Sequence, residues 1–445
     1  MNNKSKVVLF FPKLEPYKPF HWFPISLLAI AAPVIAKEFK VVIIDERIDK
    51  RWKARIKKEC KGALCLGMTA YTGYQLIGAL NASKIIKKKF PDLPIIWGGP
   101  HVTNLPLESI KNPLVDIIVL GYGENSFTEI ISRLVNKNNL NGIDGIYFKI
   151  GSKIFKSPNI FAKINLNEFS RIPYELIDID KYINPKRRAF IYISSYGCPG
   201  ICSFCSTQFT RRFINLNFNK VIKDINFVLD KYNFKNLVLF DATFFINENR
   251  VIALANFFKK KEKLEGWICD GRALDLLRLK DSTFEILVKS KIKEIVIGLE
   301  SGSQKIINIM KKGDDHLAIF KKVLKRLSNY KIDVVSGVVF GIPGETLDDL
   351  KLTLEYIKKI ELINPRFRVS TTFFSPLPGT ELYNYINRNF DFKFPKTLEG
   401  WAKLGKKNHY VYNQFVDTPY IPANIKGDYF KIYDNFWKKN NYLRI

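Results

Sequence analysis

Short apolar runs alternate with longer segments of helical periodicity through the first third of the chain. Runs typical of buried strands lie at 7–11, 41–44, 63–68, 94–97 and 117–120. Apolar residues at helical spacing lie at 25–38 and 75–90, and a further helical segment ends near residue 135. Because strands that alternate with helices form parallel sheets, the pattern predicts an α/β fold that begins with a Rossmann-like, doubly wound domain over residues 1–145.

A second α/β series begins at residue 189. Its strand-like runs lie at 189–194, 236–240, 267–270, 294–298, 333–340 and 367–374, with helical segments between them. Polar residues, glycine or proline follow each run, as they do at the strand ends where barrel enzymes build their active sites. Six such units predict a partial (β/α)6 TIM-type barrel over residues 189–385.

Segments of weaker pattern join and follow these two series. Residues 146–188 form the predicted connector, and a short β-hairpin is expected at 141–157. Residues 386–445 are rich in aromatic residues and lysine, and they carry no motif to which a role can be assigned. The chain of 445 residues, 47% of them hydrophobic, is long enough for two or three domains with large cores.

The formal net charge of +29 has two interpretations. One is an RNA or anionic-membrane partner. The other is a lysine-rich composition spread over solvated faces, and the scatter of the basic residues without a basic tail favours it. Nucleic acid is therefore not the expected partner.

The cellular location is predicted from cysteine usage and from the apolar stretches. Six cysteines in a chain of this length do not suggest a disulfide framework. The N-terminus lacks a signal-peptide pattern, and the longest apolar stretch, residues 23–36, is interrupted by Pro24 and Pro33. We therefore expect a cytoplasmic protein without a membrane span.

Three cysteines lie in one short loop, at Cys198, Cys202 and Cys205, with the spacing C-x3-C-x2-C. Chance produces this spacing in roughly one chain in a thousand of this cysteine content. Thiolates so closely spaced suit an iron–sulfur cluster, and three of them leave one iron of a 4Fe–4S cluster for another ligand. The alternative is a structural zinc site with Cys269 as its fourth ligand. Cys60 and Cys65 are interpreted as buried thiols.

The Cys198–Cys205 loop, with Phe204 before its last cysteine, resembles that of the radical SAM enzymes. Five further short sequence motifs follow in order: Phe240-Asp-Ala-Thr-Phe244, Trp267-x4-Arg272, Gly298-Leu-Glu-Ser-Gly-Ser303, Gly341-Ile-Pro-Gly-Glu-Thr346 and Pro376-Leu-Pro-Gly-Thr380. The series is similar to the subgroup with an N-terminal cobalamin-binding domain, which includes radical methyltransferases and the anaerobic magnesium-protoporphyrin ester cyclase. The resemblance covers roughly residues 5–385.

The resemblance implies that the three cysteines hold a 4Fe–4S cluster whose open iron binds S-adenosylmethionine (SAM). One electron, from a donor such as flavodoxin or ferredoxin, would then release a 5′-deoxyadenosyl radical that abstracts hydrogen. The positions that correspond to the family's SAM contacts are Phe204, Asp241, Thr243, Arg272, Glu300 and Ser303. Asp241-Ala-Thr243 stands where the family usually has Gly-Gly-Glu, so its backbone is expected to meet the methionine amino group. Arg272 suits the SAM carboxylate, or it pairs with Asp270 or Asp275. Glu300 leaves a buried strand and needs a partner.

The resemblance also implies a cobalamin at the carboxyl ends of the strands in the first domain. The matching positions are Thr69, Thr72, Gly98, Gly99 and His101. The loop after the first strand, residues 12–24, lacks the D-x-H-x-x-G motif, whose histidine is the lower axial ligand of the cobalt in family members that have it. His21 lies in that loop, and we interpret it as a packing or hydrogen-bonding residue rather than a cobalt ligand.

The expected function is that of a cobalamin-dependent radical SAM methyltransferase acting on an unactivated centre of a small-molecule or peptide substrate. Methylcobalamin would donate the methyl group and a second SAM would restore it. One alternative is a radical cyclase or ring-rearranging oxidase of the protoporphyrin-ester type. A transfer-RNA methylthiotransferase would need three N-terminal cysteines, where only Cys60 and Cys65 are available. A non-catalytic cofactor-binding protein is the last alternative, and the intact cysteine triad argues against it.

Overall fold

The computed structural model describes residues 5–14, 22–163, 165, 167–168, 171–184, 187–206, 211–408 and 420–440. The chain divides into two compact units. Unit 1 comprises Met1–Ile183 and Lys393–Tyr412, and unit 2 comprises Asn184–Phe392 and Asn413–Ile445. Within the described ranges, no helix combines the length and the apolar character that crossing a bilayer requires.

Unit 1 contains a seven-stranded sheet in the order β2-β1-β3-β4-β5-β6-β7. The strands are β1 (Lys6–Phe11), β2 (Lys40–Asp45), β3 (Ala63–Thr69), β4 (Ile95–Gly98), β5 (Ile117–Val119), β6 (Ile146–Ile150) and β7 (Lys153–Lys156). The first five pair in parallel, in the flavodoxin-like order 2-1-3-4-5 of doubly wound sheets. The predicted hairpin is β6–β7, which joins the sheet antiparallel to β5.

The helices of unit 1 follow its strands in sequence. They are α1 (Ile25–Ala36), α2 (Trp52–Cys60), α3 (Gln75–Lys89), α4 (Pro100–Asn104), α5 (Pro106–Lys111) and α6 (Glu124–Val135). The predicted connector contains two short 3-10 helices, Tyr174–Leu176 and Ile179–Lys181. The sequence interpretation missed α2 because its buried face consists of only Trp52, Ile56 and Cys60, one residue per turn in a lysine-rich segment.

Unit 2 contains a six-stranded, all-parallel sheet. Its strands are β8 (Ala189–Tyr192), β11 (Asn236–Leu239), β12 (Gly266–Gly271), β13 (Ile292–Ile297), β14 (Asp333–Phe340) and β15 (Phe367–Phe373). A separate antiparallel pair, β9 (Ser195–Tyr196) and β10 (Ile214–Asn215), follows β8. The six strands pair in chain order, which is the order that the predicted (β/α)6 barrel requires.

Helices connect the strands of unit 2. They are α7 (Phe218–Lys231), α8 (Glu248–Lys259), α9 (Ala273–Arg278), α10 (Asp281–Lys289), α11 (Gln304–Ile309), α12 (His316–Asn329), α13 (Leu347–Ile363) and α14 (Glu381–Asn389). Helix α13 begins with a capping box formed by Thr346 and Asp349. Short helices α9 and α11 were not predicted, and both follow loops that carry site residues.

Two helices at the end of the chain belong to different units. Helix α15 (Leu398–Asn408) packs on α3 in unit 1, and α16 (Ala423–Asn440) packs on β15 and α13 in unit 2. The contact of α16 is aromatic, with Tyr433 packing edge-on against Phe340 and Phe373. Each unit therefore takes part of its structure from residues beyond 392.

Candidate functional site

A buried carboxylate, that of Asp241, holds the residues that lead into the Cys198–Cys205 loop. Asp241, at the end of β11, accepts hydrogen bonds of 2.6 Å from the backbone N–H of Ser194 and from the hydroxyls of Ser194 and Ser195. Arg250 of α8 pairs with the same carboxylate at 3.2 Å. Asp241 is 1% exposed. Its side chain therefore fixes the end of β8, from which the loop starts, to the neighbouring strand.

The middle of the loop is anchored through Ser203. Its backbone N–H donates to the carbonyl of Met310 at 3.0 Å, and its hydroxyl donates to the carbonyl of Ile309 at 2.7 Å. The backbone N–H of Leu382 donates to the Ser203 carbonyl at 3.0 Å. The segment between the second and third cysteines is thus tied to the end of α11 and to the start of α14.

The sulfurs of Cys198 and Cys202 lie beside Gly200. A Cβ atom placed on Gly200 would lie 3.3 Å from the sulfur of Cys198 and 3.8 Å from that of Cys202. All three loop cysteines are partly exposed. Across the described ranges, no group of three or more His, Cys, Asp or Glu side chains is placed to hold a metal ion. Cys269, the fourth ligand of the zinc site considered above, is buried in β12.

Arg272 follows β12 and faces the same loop. Its Nε and Nη2 donate to the two carboxylate oxygens of Asp275 at 2.8 and 2.6 Å, and Thr243 donates to Asp275 at 2.9 Å. The other terminal nitrogen, Nη1, lies 3.8 Å from the Cβ position of Gly200. The hydrogen bonds that Arg272 donates to Asp275 raise the pKa of Arg272 against the effect of burial. The guanidinium is therefore oriented by Asp275 with one nitrogen toward the cysteines.

Glu300 follows β13 and has its partner in Lys312. The ammonium of Lys312 donates to Oε1 of Glu300 at 3.1 Å, and both side chains are mostly buried, at 13% and 12% exposed. The two groups lie against Gly298, where a Cβ would be 2.0 Å from Oε1 and 3.2 Å from Nζ. Only glycine leaves room for this pair. The expectation that Glu300 needs a partner is confirmed, although the sequence interpretation did not identify Lys312.

The six predicted SAM residues fall into two groups. Phe204, Arg272 and Glu300 are partly exposed. Asp241, Thr243 and Ser303 are buried, and each side chain is hydrogen-bonded within the protein. The hydroxyl of Ser303, for example, donates to Asp349 at 2.6 Å. The second group holds the loops in place, and any SAM contact it makes would come from its backbone.

The residues predicted for cobalamin meet at the ends of β3 and β4. Thr69 pairs with Gly98 across the two strands. Gly99 has a φ of +97°, and a Cβ there would lie 2.7 Å from Oγ1 of Thr69 and 2.9 Å from the N atom of Ala70. A glycine is required at this position, both for its backbone conformation and for the close approach of the two loops.

The imidazole ring of His101 is buried near the same ends of β3 and β4. Its Nδ1 shares a hydrogen bond of 2.9 Å with the hydroxyl of Thr72. Nε2 of His101 has no hydrogen-bond partner among the described residues, although the side chain is fully buried. Burial lowers the pKa of His101 to about 3, so the ring is neutral at pH 7. Leaving a buried polar atom without a hydrogen-bond partner costs about 1–3 kcal/mol. A bound ligand that supplies this partner would remove the cost.

Helix α15 adds two residues that the sequence interpretation missed. Trp401 packs edge-on against His101 with ring centroids 5.8 Å apart. A Cβ on Gly405 would lie 2.3 Å from the carbonyl carbon of Gly73, so the helix backbone rests directly on the loop after β3. No local pattern could have found these residues, because their partners lie far away in the sequence.

Two further predictions concern single residues of unit 1. Cys60 and Cys65 are buried, as expected, and burial raises the pKa of Cys60 to about 12. Such thiols are protonated and poor metal ligands. His21 lies outside the described residues, so its interpretation stays a prediction.

Two family models match the chain. Residues 192–357 match the radical SAM superfamily, and residues 19–131 match the B12 binding domain. The first match covers the cysteine loop and the strands that follow it as far as β14, and the second covers β2 to β5 of unit 1.

Several proteins of known name are similar to this chain. It is 28% identical over 372 residues to an uncharacterized methyltransferase, PH0819, of Pyrococcus horikoshii, a match covering 81% of this chain and 78% of that protein. It is 24% identical over 297 residues to the anaerobic magnesium-protoporphyrin IX monomethyl ester cyclase of Synechocystis sp., covering 65% and 59%. The cobalamin-dependent radical SAM methyltransferase TokK of Streptomyces tokunonensis is 22% identical, over 60% of this chain and 41% of that protein.

Two solved structures share the fold. The radical SAM methyltransferase TsrM from Kitasatospora setae, solved with cobalamin and a [4Fe-4S] cluster bound, superposes with a TM-score of 0.73 at 12% identity. That match covers 98% of this chain and 89% of TsrM. The cobalamin-dependent SAM radical enzyme OxsB superposes with a TM-score of 0.69 at 19% identity, covering 80% of this chain and about half, 52%, of OxsB.

Proposed function

We propose that this chain, which matches the radical SAM superfamily over residues 192–357 and the B12 binding domain over residues 19–131, methylates an unactivated carbon or phosphorus centre of a small-molecule or peptide substrate. The observation that carries the proposal is the cysteine loop, in which the sulfurs of Cys198 and Cys202 flank Gly200 with Nη1 of Arg272 beside them. A basic guanidinium beside a loop that carries three cysteines suits an anionic cofactor held at an iron–sulfur cluster.

The residues of unit 2 have distinct tasks in this proposal. Cys198, Cys202 and Cys205 would hold the cluster, and Arg272 would take the SAM carboxylate with the nitrogen that Asp275 leaves available. Glu300 would accept hydrogen bonds from the ribose hydroxyls, and Phe204 would pack near the adenine. When bound, these cofactors supply a radical that removes hydrogen from the substrate, and cobalamin supplies the methyl group.

Buried residues keep these groups in position. Asp241 holds the start of the cysteine loop through three hydrogen bonds of 2.6 Å. Asp275 fixes the guanidinium plane of Arg272 with two bonds. Because side chains held this way lose little freedom when a ligand binds, the arrangement favours tight and oriented binding.

In unit 1, Thr69, Thr72, Gly98, Gly99 and His101 would hold the corrin and its nucleotide tail. The close approach of Gly99 to Thr69 leaves backbone, rather than side chains, at the strand ends, where a large ligand can lie against it. His101 stays neutral, and its Nε2 would take one hydrogen bond from the ligand or give one to it.

Anaerobic reconstitution with iron, sulfide and hydroxocobalamin tests the proposal. We expect the purified protein to retain the corrinoid and to form both 5′-deoxyadenosine and S-adenosylhomocysteine from SAM, because each methylation consumes one SAM as radical source and one as methyl source. Cys202→Ala should abolish 5′-deoxyadenosine formation. Cys269→Ala, which removes a buried cysteine outside the loop, is the matched control and should retain it.

The products separate the alternatives. Formation of 5′-deoxyadenosine without S-adenosylhomocysteine would favour a cyclase-type reaction over methyl transfer. Cyclase is the activity named for a relative that is 24% identical. A protein that retained no corrinoid would refute the cobalamin part. Activity of the Cys202→Ala variant would refute the assignment of the cluster ligands.

A further inference from the structure

Lys312 is a buried lysine that the function proposed above does not use. Its side chain is 13% exposed, and its ammonium forms an ion pair with the carboxylate of Glu300 at 3.1 Å. Burying an ammonium is costly unless it is paired. Burial alone would lower the pKa of Lys312, but the paired carboxylate of Glu300 raises it. The lysine is therefore a fixed positive charge.

The backbone at the end of α11 determines where Lys312 lies. The N–H of Lys311 donates to the carbonyl of Asn308 at 3.0 Å, and the N–H of Lys312 donates to that of Ile307 at 3.2 Å. Lys311 has a φ of +55°. This is the Schellman pattern that ends many helices. It turns the chain, so that Lys311 is exposed while Lys312 is buried against Gly298.

The same helix end is joined to the cysteine loop. The carbonyls of Ile309 and Met310 accept both hydrogen bonds that Ser203 donates, and Ser203 directly follows Cys202. Lys312 lies two residues beyond Met310. Hydrogen bonds through Ser203 thus connect this helix end to the residue after Cys202, and an ion pair connects Lys312 to Glu300.

We propose that Lys312 is a positioning residue that holds the Glu300 carboxylate for SAM and places a buried positive charge beside the cluster. The inference rests on the proposed function, because it needs the cluster on Cys198, Cys202 and Cys205. A cation near the cluster stabilises its reduced form, which carries one more negative charge, and so raises the reduction potential. The electron itself comes from an external low-potential donor, which is dithionite in the experiment below.

The test compares Lys312→Met with Lys311→Met in the reconstituted full-length protein. Both changes remove one lysine charge, but Lys311 is exposed and pairs with the exposed Glu381. The reduction potential is measured by titration with dithionite and mediators, with the reduced cluster followed by electron paramagnetic resonance (EPR). We expect the ratio of reduced to oxidised cluster at a fixed potential to fall about tenfold in Lys312→Met, a shift of ~59 mV for a one-electron couple. Lys311→Met should match the wild type.

SAM binding is a second measurement on the same samples. The SAM concentration that changes the EPR spectrum of the reduced cluster should rise several-fold in Lys312→Met, because Glu300 loses its partner. Lys312→Arg keeps the charge and should keep the wild-type potential. If Lys312→Met fails to fold, Glu300→Gln takes its place, and we expect weaker SAM binding there without a lower potential.

The outcomes distinguish this inference from the proposed function. A wild-type protein that assembled no cluster would overturn both. A wild-type cluster together with an unchanged potential in Lys312→Met would overturn the inference alone. A lower potential in Glu300→Gln would also overturn it, because removing a negative charge cannot lower the potential by the proposed route.

Discussion

At the residue scale, Glu300 departs most clearly from ordinary backbone geometry within the site. Its φ of +69° lies in the left-handed region, which costs a non-glycine residue of order 1–3 kcal/mol at functional sites. The conformation is held by β14, because the N–H of Glu300 donates to Gly337 at 2.9 Å and the N–H of Val339 donates to Glu300 at 2.8 Å. Glycine would relieve the strain but would remove the carboxylate that pairs with Lys312.

Gly298→Ala tests how closely the position of this carboxylate controls SAM binding. The new methyl group would lie 2.0 Å from Oε1 of Glu300 and 3.2 Å from Nζ of Lys312, so the pair must move. Losing a hydrogen bond to a charged group costs about 1.5–3 kcal/mol. We therefore expect SAM binding to weaken by roughly tenfold or more, measured by the SAM-dependent EPR change of the reduced cluster.

Gly337→Ala is the matched control for this prediction. Its Cβ would lie 3.9 Å from Oε2 of Glu300, which is an ordinary contact. The control should bind SAM as the wild type does. Equal SAM affinity in Gly298→Ala and the wild type would contradict a role for the exact placement of Glu300.

The sequence was most informative about residues whose chemistry is local. The spacing of Cys198, Cys202 and Cys205 pointed to one loop, and Arg272 was expected to bind either SAM or a nearby aspartate. The structure gives Arg272 two hydrogen bonds to Asp275 and leaves a third nitrogen facing the loop. The sequence did not identify Lys312, because the role of this lysine depends on how α11 ends and on which loop lies beside that end.

At the scale of single elements, close backbone contact distinguishes α15 from α16. Both helices have a glycine in their interior, Gly405 in α15 and Gly427 in α16. A Cβ on Gly405 would lie 2.3 Å from Gly73, whereas a Cβ on Gly427 would meet nothing within 4 Å. Replacing the glycine by alanine should therefore have opposite effects on stability in the two helices.

Replacing each glycine by alanine measures this difference. Alanine favours a helix interior by about 1 kcal/mol over glycine. We expect Gly427→Ala to raise the unfolding temperature slightly. Gly405→Ala should lower it and should reduce the corrinoid retained per protein, with iron content unchanged. If Gly405→Ala were as stable as the wild type and retained the same corrinoid, α15 would not support the site in unit 1.

Periodicity predicted the strands of the two large sheets and the longer helices between them, but it missed most of the short helices and the last two, α15 and α16. Runs such as 333–340 are buried on both sides and stand out from the sequence as continuous apolar segments. Helices α15 and α16 have no such signal, because their apolar side chains pack against α3 and β15, which lie far earlier in the chain. Tertiary contact, rather than local propensity, determines them.

At the scale of the whole molecule, the end of the chain completes both units. The sequence interpretation treated residues 386–445 as one extension, whereas the structure divides them between unit 1 and unit 2. In unit 2, Tyr429 of α16 is fully buried and donates a hydrogen bond to Glu345, and its oxygen accepts one of 2.6 Å from the N–H of Gly341. Residues beyond 392 thus reach the strand ends where each unit carries its predicted site.

Two truncations separate these contributions. A chain that ends at residue 412 keeps α15 but loses α16, which exposes Phe340 and Phe373 and leaves Glu345 without Tyr429. We expect it to retain corrinoid but to unfold at a lower temperature and to lose iron, because the sheet that carries the cysteine loop is weakened. A chain that ends at residue 392 also loses the contacts of Trp401 with His101 and of Gly405 with Gly73. It should lose corrinoid as well as iron, measured by absorbance spectra and metal analysis. Since the two chains differ only in residues 393–412, equal corrinoid retention would show that α15 is dispensable for the site in unit 1.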